Sequence, residues 1–112
     1  MEKTIKICNE ELKVKSSLFT IIDYKNTFGS DLFNDATRIG ENKNNDVSSI
    51  IQTLFQILYI FNKPYSKKSF DEFLDGFDFS ILSDSKALED ITNAISELLG
   101  SVKDGTKRAQ NP

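Results

Sequence analysis

The first fifteen residues alternate between apolar and polar side chains. Ile5 and Ile7 point one way, and Leu12 and Val14 repeat the pattern after a short break at residues 9–11. A period of two is typical of a half-buried strand. The pattern predicts a β-hairpin over residues 4–15. Because an isolated hairpin is only marginally stable in water, its apolar face must pack on helices or extend a sheet with another subunit.

Beyond the hairpin, apolar residues recur at helical spacing and predict five helices. The predicted ranges are 18–28, 31–39, 47–61, 70–75 and 86–99. In the first of them the recurring apolar positions are Leu18, Ile21, Ile22 and Phe28. The boundaries of these helices follow from capping and stop signals. Signals at the starts are Ser17, Ser30, Asp46 and a Ser69–Glu72 capping box. Signals at the ends are Gly29, Gly40, Pro64, Gly76 and Gly100. The polar residues 41–45 have no periodicity and predict a loop.

These elements define an α+β protein that is mainly α, with an N-terminal β-hairpin followed by about five helices packed as a small bundle. A length of 112 residues suits one domain. We expect a single globular domain over residues 1–100. Residues 101–112 have Val102 as their only large apolar side chain, so we expect a disordered polar tail there.

The third predicted helix is more apolar than one core face requires. Seven of the eight residues in Leu54–Phe61 are apolar, and Tyr59 and Ile60 fall outside the main apolar face. The helix is either buried on most of its sides or forms a groove for a partner or another subunit. An Ile or Phe left in water forgoes about 1.5–3 kcal/mol of burial free energy. The predicted partner-binding residues are Phe55, Tyr59, Ile60 and Phe61.

The composition and charge of the chain disfavour some classes of binding partner. The chain has 17 acidic and 14 basic residues, a formal charge of -3, and therefore no general attraction to nucleic acid or to an anionic membrane surface. It has no apolar run near the roughly 20 residues that span a bilayer, and its first residues do not resemble a signal peptide. Cys8 is the only cysteine, so an intrachain disulfide is impossible and an unreactive thiol is expected. A cytoplasmic protein is predicted.

Candidate chemistry is sparse. The chain has no histidine, which removes the commonest general base and most zinc sites, and it has no phosphate-binding glycine motif. One dense acidic cluster suggests either a metal or acid–base site or a solvated helix cap; its members are Asp71, Glu72, Asp75 and Asp78. The helix cap is the favoured interpretation. Three basic residues in the tail, Lys103, Lys107 and Arg108, make a weak footprint for RNA. We predict no catalytic residue, no cofactor and no metal.

The order of these parts resembles the tail assembly chaperones of long-tailed phages that infect Gram-positive bacteria. The likeness consists of the alternating strand pair TIKICNEELKVKSS, the helix LFTIIDYKNTFGSDLF with its internal Gly29, a long apolar helix ending in NKPYS, the segment SFDEFLDGFD, a last amphipathic helix and a polar KRAQNP tail. The likeness extends over nearly the whole chain. It is a shared order of elements, and the sequence motifs match only loosely.

The resemblance implies a non-enzymatic protein of the host cell cytoplasm that is absent from the mature virion. Its implied client is the tape measure protein, which it keeps soluble while tail tube subunits assemble round it. In many relatives a ribosomal frameshift near the C-terminus yields a longer form. Repeated copies along a long client would gain avidity, so a homo-oligomer is expected.

Three other functions stay open from the sequence. A small phage-encoded regulatory or inhibitory module could use an apolar patch to bind a host enzyme. A structural tail completion protein would be present in purified particles. An enzyme would have to use the carboxylates between Asp71 and Asp78.

Overall fold

The computed structural model describes residues 2–7, 10–41 and 47–110, with side chains at all of these except 40–41, 47–48 and 101–110. Its elements are β1 (Glu2–Ile7), β2 (Glu10–Lys15), α1 (Leu18–Phe28), α2 (Leu32–Glu41), α3 (Val47–Asn62), α4 (Phe70–Asp75) and α5 (Ser85–Gln110). Short 3₁₀ turns lie at Lys63–Tyr65 and Phe79–Ser83. The predicted class, α+β and mainly α with a hairpin followed by five helices, is confirmed.

The hairpin packs its apolar face on the helices. β1 and β2 are antiparallel, with Ile5 opposite Leu12 and Lys3 opposite Val14. Ile5 and Val14 are buried, β1 contacts α5 and β2 contacts α3. The side-chain amide of Asn62 at the end of α3 donates a hydrogen bond to the Lys13 carbonyl at 2.8 Å. Helices therefore supply the support that a two-stranded sheet needs.

The turn between α1 and α2 depends on one glycine and one aspartate. Gly29 adopts φ 76°, and its N–H donates to the Lys25 carbonyl at 2.8 Å. Side chains other than glycine rarely adopt this left-handed conformation. The Asp31 carboxylate accepts the Asn34 N–H at 2.9 Å and so caps α2. Ser30, the predicted start of this helix, instead donates its hydroxyl to Asp35.

Helix α3 lies at the centre of the molecule. It contacts α1, α2, α4, α5 and β2, so neighbours cover it on several sides. Ile57, Leu58 and Phe61 have no exposed surface. Pro64 follows within the 3₁₀ turn at Lys63–Tyr65, which agrees with its predicted role as the stop signal.

A cluster of aromatic rings joins α1, α3 and α4. Tyr59 lies 5.4 Å from Phe70 and 5.5 Å from Phe73 between ring centroids, and Phe28 lies 5.1 Å from Phe70. Tilted and edge-on pairs at such distances are favourable beyond their area burial. The Tyr59 hydroxyl donates to the Lys68 carbonyl at 2.9 Å, so its polar end is satisfied as well.

The last two helices begin at side-chain caps. The predicted capping box is confirmed: the Ser69 hydroxyl accepts the Glu72 N–H at 3.2 Å, and the Glu72 carboxylate accepts the Ser69 N–H at 3.0 Å. Asp84 accepts the Ala87 N–H at 3.1 Å near the start of α5.

The predicted end of α5 at Gly100 is wrong. The helix continues to Gln110, so the expectation of a disordered tail is corrected over residues 101–110. Glycine inside a helix costs only about 1 kcal/mol relative to alanine, and Lys, Arg, Ala and Gln after it are good helix formers. Helix α2 continues past the predicted stop at Gly40 to Glu41, so Glu41 does not belong to the predicted loop at 41–45. The predictions for Cys8, for the rest of that loop and for Asp46 as a helix cap lie outside the described residues.

Candidate interaction surface

The four predicted partner-binding residues are buried within the protein itself. Phe55 is 3% exposed, Tyr59 7%, Ile60 1% and Phe61 0%. A partner cannot reach side chains that this fold already covers. The prediction that this part of α3 forms an open groove is therefore wrong, and the alternative of a central buried helix is correct.

These side chains are buried because other helices cover them, and the sequence does not reveal where those helices pack. The periodicity of α3 identifies a main apolar face, but α1 and α4 cover the remaining sides. Phe28 and Phe70 pack against Tyr59, and Phe77 lies 5.2 Å from Phe55 between ring centroids. The short helix α4 and the residues just after it therefore cover much of the apolar surface of α3 that lies outside its main apolar face.

Exposed apolar side chains gather instead on α1. Leu18 is 78% exposed, Phe19 64% and Ile22 56%. At about 100° per residue these three positions share one side of the helix. We call this set, Leu18, Phe19 and Ile22, the α1 face. It is an apolar patch of the kind that marks an interaction site on a folded protein.

The periodicity of α1 does not separate its exposed apolar residues from its buried ones. Tyr24 is buried, and Ile21 and Phe28 pack against the core from the same side of α1. Leu18 and Ile22 are exposed, although at about 100° per residue they continue the same stripe as Ile21 and Phe28. The helical angles therefore assign all four residues to one broad side of α1. Only the packing of neighbouring elements determines which end of that side is exposed.

Two exposed lysines lie close in sequence to the α1 face. Lys25 lies one turn beyond Ile22 on the same side of the helix and is exposed. Lys15, also exposed, ends β2 just before the helix and lies opposite Glu2 of β1. The acidic neighbour Asp23 is held by Lys63, whose Nζ lies 2.9 Å from its carboxylate. An apolar patch with lysines at its border is complementary to an apolar surface that has carboxylates around it.

A buried polar network fixes α1 against α2. The Asp35 carboxylate is 3% exposed and accepts the Tyr24 hydroxyl at 2.7 Å, the Ser30 hydroxyl at 2.8 Å and the Arg38 guanidinium at 2.6 Å. Burial acts to raise the pKa of Asp35, but these three donors together hold it below its usual value. Burial and the Asp35 charge raise the pKa of Tyr24. Both groups therefore keep their ordinary charge states at neutral pH.

The network borders a polar cleft of about 300 Å³ between α2 and α3. Gln56 reaches it from α3, and its side-chain oxygen lies 3.3 Å from the Tyr24 hydroxyl. That hydroxyl has one proton, which Asp35 accepts at the shorter distance. The opposite orientation of the Gln56 amide would provide a donor to the phenolic oxygen. The hydrogen bonds among Tyr24, Ser30, Asp35 and Arg38 give the network a structural role, because they join α1 to α2.

One member of the acidic cluster around α4, Glu72, acts in capping. Glu72 completes the box with Ser69, and the Ser69 backbone N–H lowers the pKa of the Glu72 carboxyl. Asp78 accepts the Ser80 hydroxyl, which lowers its pKa. Among the described residues, no three His, Cys, Asp or Glu side chains form a group that could hold a metal ion. Cys8 and the side chains of Lys103, Lys107 and Arg108 lie outside the described part of the chain.

The second surface feature is a pocket of about 420 Å³ between the hairpin and the α4 region. Its buried floor includes Ile7 and Phe73, and its half-buried walls include Leu12 and Phe77. Exposed charged residues stand at its border, which are Glu10, Glu11, Asp78 and Lys68. We call this feature the hairpin pocket. Its volume is within the range of ligand and side-chain binding pockets, about 300–1,000 Å³.

Comparison with known proteins identifies no relative of this chain. The chain matches no protein-family model, no curated protein and no solved structure. Within the described residues, no helix is both long and apolar enough to cross a membrane.

Proposed function

We propose that this protein is a phage tail assembly chaperone that binds the tape measure protein and keeps it soluble during tail assembly. The proposal makes it a non-enzymatic protein of the host cell cytoplasm that is absent from the mature virion. The tail tube protein is a second candidate partner. The observation that carries the proposal is the exposed α1 face of Leu18, Phe19 and Ile22.

The sequence resemblance and the α1 face support the same interpretation. A chaperone for a long helical client needs an accessible apolar surface, and amphipathic helices are bound through aromatic and aliphatic anchors. Phe19 and its two neighbours provide such anchors. The structure has a hairpin followed by five helices, and the resemblance rests on this order of elements.

Co-expression with the tape measure protein of the same phage tests the proposal. We expect a higher soluble yield of the tape measure protein and its co-purification with this chain. The double variant Phe19→Ser with Ile22→Ser should lose both effects, because exposed anchors contribute to binding and little to folding.

Phe79→Ser is the matched control for that variant. Phe79 is 79% exposed and belongs to a different element, the 3₁₀ turn at Phe79–Ser83, so its loss should leave the soluble yield unchanged. If the wild-type chain gives no gain in solubility, the chaperone proposal is wrong. Detection of the chain in purified virions by mass spectrometry would favour a structural tail component instead.

A further inference from the structure

The α1 face and the hairpin pocket are complementary to each other in shape and charge. The face projects large apolar side chains with Lys15 and Lys25 beside it. The pocket has an apolar floor with carboxylates at its mouth, and its volume of about 420 Å³ has room for an aromatic ring. A projecting apolar group and a pocket on the same molecule allow one copy to bind the next.

We infer that this protein self-associates head to tail, with Phe19 of one copy inserted in the hairpin pocket of the next copy. The inference does not depend on the chaperone assignment. It concerns two surfaces of this chain and the contact between them.

The charges favour this pairing over two copies joined through the same face. Two α1 faces brought together would place the lysines of both copies near each other, which costs free energy. The pocket offers Glu10, Glu11 and Asp78 against one lysine, Lys68. Within the described residues, Glu10 and Glu11 take part in no ion pair, so both carboxylates are available to Lys15 and Lys25 of the neighbour.

The Ile7–Glu10 end of the pocket and the α1 face lie at opposite ends of the hairpin. The pocket includes Ile7 and Glu10, which lie where the two strands are joined. The α1 face begins after Lys15, at the opposite end of the hairpin. Strands of six residues separate these ends by roughly 20 Å. Each copy can therefore use its face and its pocket at the same time, with two different neighbours.

Gly76 gives a way to close the pocket without disturbing the fold. It lines the pocket and adopts φ -75°, which any residue tolerates. A Cβ there would meet the Phe73 carbonyl at 3.4 Å, an ordinary contact. We define the pocket variant as Gly76→Leu combined with Glu10→Lys, which adds bulk to the wall and reverses one charge at the mouth.

Sedimentation over a dilution series tests the inference. We expect the wild-type chain to form larger species as concentration rises, and Phe19→Ser and the pocket variant each to weaken this association by about tenfold or more. Phe79→Ser and Glu89→Lys are the matched controls, since both positions are exposed and lie outside the face and the pocket. Both controls should associate like the wild type. Melting curves establish that every variant is folded.

Mixing the two defective variants gives the decisive result. Phe19→Ser keeps an intact pocket and the pocket variant keeps an intact face, so one productive contact forms in the mixture. We expect a 1:1 dimer in the mixture and monomers in each separate sample. A wild-type chain that stays monomeric up to millimolar concentration would overturn the inference. So would a pocket variant that still associates alone, because it would indicate a symmetric contact between two α1 faces.

Discussion

At the scale of single residues, Asp35 shows how a charge is kept inside this small protein. Its carboxylate is buried and accepts hydrogen bonds from Tyr24, Ser30 and Arg38. A buried charge without partners would be costly, whereas a fully hydrogen-bonded one can fix the relative position of two elements. Here the elements are α1 and α2, on either side of the turn at Gly29.

Tyr24→Phe should therefore destabilise the protein in a pH-dependent way. Removing a hydrogen bond to a charged group costs about 1.5–3 kcal/mol at neutral pH. The folded pKa of Asp35 lies below its usual value, so this stabilisation is present above the usual pKa and is lost as pH falls through the folded pKa. Urea unfolding at neutral and at acid pH should show the wild type and the variant converging at acid pH.

Tyr65→Phe is the matched control for this measurement. Its hydroxyl donates to Glu2 at 2.6 Å, but both residues are exposed and water can replace the bond. We expect a much smaller loss of stability than for Tyr24→Phe. An equal loss in the two variants would contradict a special role for the buried network.

At the scale of elements, the sequence predicts an exposed binding surface on α3, whereas the structure buries α3 and exposes apolar residues on α1. The apolar segment of α3 is the protein's centre, and the exposed apolar face lies on the less apolar helix α1. Ile60 and Ile22 are the same residue type, yet Ile60 is 1% exposed and Ile22 56%. The difference follows from which neighbouring elements cover each helix.

Replacing these two isoleucines by alanine measures that difference. Ile60→Ala removes buried atoms and leaves a cavity, so it should cost about 2–5 kcal/mol of unfolding free energy. Ile22→Ala should change stability by no more than about 0.5 kcal/mol, as exposed substitutions do. Denaturant unfolding of the two variants provides both values. A large loss for Ile22→Ala would mean that the α1 face is covered within the protein.

Local signals were sufficient to predict most elements. The alternation at Ile5, Ile7, Leu12 and Val14 predicts the hairpin, and the Ser69–Glu72 box predicts α4, because each signal lies within a few residues of what it determines. The end of α5 was missed because glycine at Gly100 only weakens a helix and does not have to end it.

The surface could not be predicted in the same way. Whether Tyr59 is covered depends on Phe28 and Phe70, which are distant in sequence and belong to other helices. Periodicity assigns a residue to a side of its own helix and contains no information about the neighbour on that side. The α1 face and the hairpin pocket therefore became visible only once the elements were packed together.

At the scale of the whole molecule, the two proposals place a client and a neighbouring copy on the same surface. The α1 face can contact only one of them at a time, so the two must compete. A copy whose α1 face is bound to a neighbouring copy cannot bind a client through that face. The apparent affinity for the client therefore decreases as the fraction of copies with an occupied face increases. Self-association would then cover the apolar face until a client arrives.

This competition predicts that the client dissociates the assembly. Adding a soluble amphipathic fragment of the tape measure protein to the wild-type chain should shift it toward complexes that contain one copy of each, as measured by sedimentation. The pocket variant has a free α1 face at every concentration, so it should bind the fragment at least as tightly as the wild type. Phe19→Ser should bind it weakly, because Phe19 serves both contacts. If the fragment instead binds without reducing the size of the assembly, client and copy use different surfaces, and the α1 face serves only one of the two roles.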